Sequence, residues 1–152
     1  MTRNSIFNVI AFNAALSDTC GEFVDFKKPW YRQSTSAFIQ KGKKRRIRTL
    51  TGDWIMKNIN LSNRRLGVIK IDVEGAELLV LRGFANTLAE HNPFVIVETG
   101  HYYERFGYTF NDLLKFMKDR SYKPIYLLED KIRPFSIKAT PESGNIVFKK
   151  EL

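Results

Sequence analysis

The chain of 152 residues has one cysteine, Cys20, so no internal disulfide is open to it and its thiol content marks no oxidising compartment. Cys20 stands in a turn-like Ser-Asp-Thr-Cys-Gly with no catalytic motif around it, which speaks against a nucleophilic thiol. Glycine is sparse: the nine residues at 21, 42, 52, 67, 75, 83, 100, 107 and 144 include no closely spaced pair. A glycine loop that lets backbone approach a nucleotide is therefore missing from these residues. No apolar run approaches the roughly 20 residues that cross a bilayer. The short apolar stretch near the start is broken by Asn8 and lacks the layout of a signal peptide. A soluble, cytoplasmic protein without a membrane partner is the expectation. Low-complexity tracts and internal repeats are also missing.

What is present is a composition for one packed core. Hydrophobic residues make up 43% and aromatics 13%, too much for a disordered chain, and the length suits a single domain over 1–152. The net charge of +9 bears on association rather than on fold. Residues 41–48 hold six of the 25 basic side chains. No aromatic interrupts them, as a stacking nucleic-acid surface would require, although Trp30, Tyr31 and Phe38 precede them. They read as a solvated loop leading into a strand.

Periodicity gives an α/β order. Residues 6–11 read as a buried strand and 22–26 as a half-exposed one stopped by Pro29, with a returning strand at 45–50. Gly52-Asp-Trp opens a short helix whose Trp54, Ile55, Ile59 and Leu61 are expected to face inward. Residues 68–72 do not simply alternate, which suits a strand covered on both faces. A helix entered through 74–77 carries Leu78, Leu81 and Leu88, is interrupted at Gly83 and closes before Pro93. Residues 94–98 form the clearest buried strand, 111–120 a further helix, and 124–128 and 145–148 two last strands. A turn-rich connection containing Pro134, Pro141 and Gly144 joins that last pair. Parallel crossovers are expected in the middle of the chain, and in open sheets of this type ligands sit beyond the carboxyl ends of the strands. Asp18, Asp72 and Glu98 each fall at such an end.

The stretch 69–77, Ile-Lys-Ile-Asp-Val-Glu-Gly-Ala-Glu, followed by Val-Leu-Arg-Gly at 80–83 and Val-Ile-Val-Glu at 95–98, resembles the signature of the FkbM-type methyltransferases. Asn-Ala-Ala-Leu-Ser-Asp at 13–18 and Gly-Asn-Ile-Val-Phe at 144–148 are similar to further segments of that family. The resemblance implies a Rossmann-like class I methyltransferase fold and methyl transfer from S-adenosylmethionine, usually to an oxygen. It also implies a glycine loop after the first strand and an acidic residue after the second, neither of which these residues contain. In the family's sheet, of strand order 3-2-1-4-5-7-6, the chain begins at about the third strand. It is expected to be the C-terminal portion of the fold, without the first two strands.

By the same resemblance Ala15, Leu16, Ser17 and Asp18 flank the adenine, Asp18 accepting from its amino group, and Asp72 lies near the transferred methyl and the acceptor. On its own chemistry Asp72 suits orientation or deprotonation of an acceptor hydroxyl. Glu98, beside Thr99-Gly-His101, adds a carboxylate and an imidazole to the same rim, for acceptor chemistry or for structural hydrogen bonds. Glu74 and Glu77 in a first helical turn are favoured by the helix dipole alone. Asp72, Glu74, Glu98 and His101 match no metal-ligand spacing. His91 reads as a surface residue, and Tyr102, Tyr103, Phe106 and Tyr108 line a substrate pocket or pack as a lid on the core.

The leading expectation is thus an S-adenosylmethionine-dependent methyltransferase acting on a sugar or other small-molecule acceptor, inactive without the cofactor loop. Two other classes remain open. One is a non-catalytic remnant serving as an interaction module, with homo-oligomers forming through an exposed sheet edge at 68–72. The other is a basic nucleic-acid-binding protein using residues 41–48, recognisable by steeply salt-dependent binding.

Overall fold

The computed structural model describes residues 8–27, 38–39, 46–61, 64–100, 102–128, 132–136 and 144–151. Strands β1 (Ala15–Leu16), β2 (Phe23–Lys27), β3 (Phe38–Ile39) and β4 (Arg46–Leu50) form a small sheet in the order β1-β4-β2-β3. Helix α1 (Gly52–Asn58) leads through residues 59–67 to β5 (Val68–Ile71). Then come α2 (Glu77–Gly83), α3 (Ala85–His91), β6 (Phe94–Thr99), a 3-10 turn (Tyr103–Phe106) and α4 (Phe110–Lys118). Strands β7 (Tyr122–Leu128), β8 (Ile132–Pro134) and β9 (Gly144–Lys150) finish a second sheet of order β5-β6-β9-β7-β8.

Residue chemistry accounts for these elements. The Thr51 hydroxyl caps α1 by accepting from the Trp54 N–H, and Thr109 with Asp112 forms a reciprocal capping box on α4. Strands β5 and β6 run parallel, as a crossover through α2 and α3 requires, whereas β9 pairs antiparallel with both β6 and β7. Pro124 is accommodated in β7 beside a register shift at Pro124/Tyr126, and β8 pairs only from Tyr126 onward, so the missing proline N–H leaves no gap in that ladder. Ile69, Ile71, Val95, Val97, Ile146 and Phe148 from the sheet meet Leu78, Leu81, Leu88, Leu113 and Met117 from the helices. Each such fully buried Leu contributes on the order of 1.5–3 kcal/mol. Among the described residues no helix is long and apolar enough to cross a membrane.

Four expectations need correction. Residues 8–11 lie outside any strand with exposed side chains, and the short strand in that region is β1, set by its parallel pairing with Thr49 and Leu50. Residues 6–7, like the basic residues 41–45, lie outside the described residues. Trp54 is 43% exposed; α1 packs instead through Gly52, where an added Cβ would stand 2.2 Å from the Phe84 ring. Strand β5 alternates, with Ile69 and Ile71 buried but Val68 54% exposed and Lys70 exposed, so one face and not two is covered among the described residues. The connection between the last two strands contains a strand of its own, β8, which forms a hairpin with β7.

Candidate functional site

Strands β5 and β6 lie in register with Ile71 opposite Val97, so the next residues, Asp72 and Glu98, emerge side by side at the carboxyl end of a parallel pair. The two carboxyl groups stand close enough to set each other's protonation, through hydrogen bonding when one is protonated. That bond to Glu98 foremost holds Asp72 below the ordinary carboxylate range. The bond to Asp72, then burial and the neighbouring Asp72 charge, push Glu98 up to about 7. Two like charges at one strand end cannot both ionise freely, so the pair titrates as a unit. Lys70 Nζ stands 3.5 Å from Asp72 Oδ2 in a solvent-exposed ion pair, and Glu74 adds a further negative charge that raises Glu98.

The turn after Asp72 is held from below. Glu74 takes a left-handed φ of +55° and Gly75 one of +108°. A Cβ on Gly75 would meet the Tyr102 carbonyl oxygen at 2.7 Å, so glycine is required here for space as well as for conformation. Glu77 is 2% exposed, and its Oε1 accepts from the backbone N–H of Gly75 at 3.0 Å and of Val73 at 3.4 Å. Burial raises its pKa against the opposing effect of those N–H groups. The Tyr108 hydroxyl donates to the Gly75 carbonyl and accepts from Leu78 N–H at 3.0 Å. Glu77 and Tyr108 thus fix the loop whose first residue is Asp72. Tyr103, buried beside Tyr108, donates to the Glu98 carbonyl at 3.3 Å.

Of the residues singled out in the sequence, Asp72 and Glu98 come together. Glu74 is close enough to act on Glu98 by its charge, but precedes α2 in a turn and does not stand in its first helical turn. His101 lies outside the described residues. Tyr103 and Tyr108 belong to the core, while Tyr102 is half-buried beneath the Arg105 guanidinium. His91 is half-buried, and its Nδ1 accepts from Leu66 N–H at 3.2 Å.

Ala15, Leu16 and Ser17 are half-buried and Asp18 is exposed. The Ser17 N–H donates to the Leu50 carbonyl at 3.0 Å and its hydroxyl to Asp18 Oδ1 at 3.2 Å. The Ser17 carbonyl abuts Gly83, where a Cβ would stand 2.1 Å from it. This segment therefore rests on the carboxyl end of α2, whereas the carboxyl pair precedes the helix's amino end. Glu77 and Gly83 bound a helix about 9 Å long. Sequence reasoning missed the role of Tyr108, whose signal was only its place in an aromatic cluster. Among the described residues no group of three His, Cys, Asp or Glu side chains is arranged to hold a metal ion.

Among curated proteins and solved structures none matches this chain. The family model described as the methyltransferase FkbM domain matches residues 8–124, which include both the 15–18 segment and the carboxyl pair. The chain belongs to the FkbM methyltransferase family.

Proposed function

We infer that this domain serves S-adenosylmethionine-dependent transfer of a methyl group to a hydroxyl of a sugar or other small molecule, in a Rossmann-like class I arrangement. The observation that carries the reading is the Asp72–Glu98 pair, in which Glu98 titrates at about 7, where a base for a hydroxyl is most useful. S-adenosylmethionine, when bound, supplies a methyl group already made electrophilic by its sulfonium. The chain's own part is to hold the acceptor and take its proton. Glu98 in its ionised form receives the hydroxyl proton, and the neighbouring Asp72 charge favours keeping it there. Lys70 limits the accumulation of negative charge at Asp72. Holding the acceptor in line at this rim supplies the rest by proximity.

The residues present fit one side of the cofactor. Asp18 is exposed, oriented by Ser17 and able to accept from an adenine amino group. A glycine cradle for the methionine and ribose parts is not offered by any of the nine glycines. By themselves these 152 residues should therefore bind S-adenosylmethionine weakly or not at all. Isothermal titration checks this, and tight stoichiometric binding would overturn it. In a polypeptide that joins this site to the family's glycine loop, Asp72→Asn should lower turnover by roughly tenfold or more while changing cofactor affinity little. Unchanged turnover would take Asp72 out of the reaction.

An interaction module without catalysis is favoured by one observation, the edge of β5, whose only strand partner among the described residues is β6. Concentration-dependent self-association abolished by a proline at Lys70, together with no effect of Asp72→Asn on turnover, would establish that reading instead.

A further inference from the structure

A cavity lies at the end of the large sheet opposite the carboxyl pair, about 13 Å from Glu98 along β6 at the usual rise per residue. It has a volume of about 210 Å³ and is lined by Arg65, His91, Asn92, Pro93, Phe94, Lys149 and Lys150. Three permanently cationic residues border it, and no carboxylate is among the lining residues. Arg65 touches only the Glu90 carbonyl at 3.5 Å, and Lys150 lies 5.9 Å from the Tyr122 ring centre; among the described residues none of the three cations has an acidic partner. His91 Nδ1 accepts a backbone N–H, which leaves Nε2 to carry the ring's proton and act as a further donor.

Two more observations define what would fill it. Asn92, fixed in a left-handed conformation, φ +52°, at the end of α3, adds a neutral polar side chain to the lining. Phe94, 42% exposed, and Pro93 provide an apolar wall. We propose that this cavity, at the amino end of β6, binds a small phosphorylated organic molecule of sugar-phosphate size. Its phosphoryl group meets Arg65 and Lys149, and its carbon skeleton lies on Phe94. The inference does not depend on the role given to Asp72 and Glu98, since the site shares no residue with them.

The test is an NMR titration of the full chain with glucose 6-phosphate, inorganic phosphate and glucose as separate probes. Glucose 6-phosphate should shift the amides of Leu66, Phe94 and Lys149 saturably and bind at least fivefold more tightly than inorganic phosphate, and glucose should leave them unmoved. Arg65→Ala with Lys149→Ala should weaken binding tenfold or more. Asn92→Asp, which keeps the shape and the left-handed preference but adds a repelling charge, should weaken it as well. Amide spectra of the variants establish that the fold is retained. Equal binding of phosphate and sugar phosphate, loss of neither in the variants, shifts centred on Asp72 and Glu98, or binding only to vesicles rich in anionic lipid would each overturn the proposal.

Discussion

At Glu98 a single proton sets both chemistry and stability. Its folded pKa of about 7 lies above the ordinary 4.5, so between those values the folded chain binds more protons than the unfolded one. The contribution of Glu98 is therefore fully present below pH 4.5 and is lost as the pH rises through about 7, and buried Glu77, also raised, acts in the same direction. Urea melts at fixed temperature should show stability falling across that window. Glu98→Gln should flatten the fall, and an unchanged slope in the variant would disconnect it from Glu98. Tyr108 makes a different residue-scale case, because removing its hydroxyl strands the Gly75 carbonyl and the Leu78 N–H in a buried place. Tyr108→Phe should cost about 1–3 kcal/mol in unfolding free energy. If Asp72 depends on that tether, turnover in a polypeptide competent for catalysis falls with it.

Among the elements, the turn between β5 and α2 carries the site, and it tolerates little change. Gly75→Ala would place a methyl against the Tyr102 backbone in a conformation that side chains rarely adopt. A loss of roughly 2 kcal/mol or more, read by thermal melting, is expected. Much of this region was legible in the sequence. Residues 69–77 read as a strand leading directly into a helix; the left-handed turn at Glu74 and Gly75 that separates them was missed, because nothing local distinguishes it from a first helical turn. The helix break at Gly83 and the buried Leu78, Leu81 and Leu88 followed from period alone. Trp54 was misjudged because α1 is only seven residues long, too short for its period to say which side is inner, and the close packing of Gly52 on Phe84 decides that instead. Strand β1 was displaced because its two residues exist only through pairing with Thr49 and Leu50, a tertiary fact with no local pattern. The pairing of Asp72 with Glu98 was equally invisible, since 26 positions separate the two residues and only strand register makes them neighbours.

Across the whole molecule, one face of the large sheet is packed by helices, while Val68, Phe94 and Tyr126 are exposed. The edge of β5 beside that face is the place where self-association would begin. Lys70→Pro should suppress any concentration-dependent association seen by sedimentation, whereas Lys115→Ala, on the exposed side of α4, should not. The sheet also sets the function, because only the parallel register of β5 and β6 brings two carboxylates together at a strand end. That juxtaposition is the central claim, and carbon-detected NMR titration of the Glu98 side chain in the folded chain tests it most directly. The account predicts a midpoint near 7 that falls toward the ordinary 4.5 in Asp72→Asn. A Glu98 midpoint that is already ordinary, or one that Asp72→Asn does not move, would contradict it.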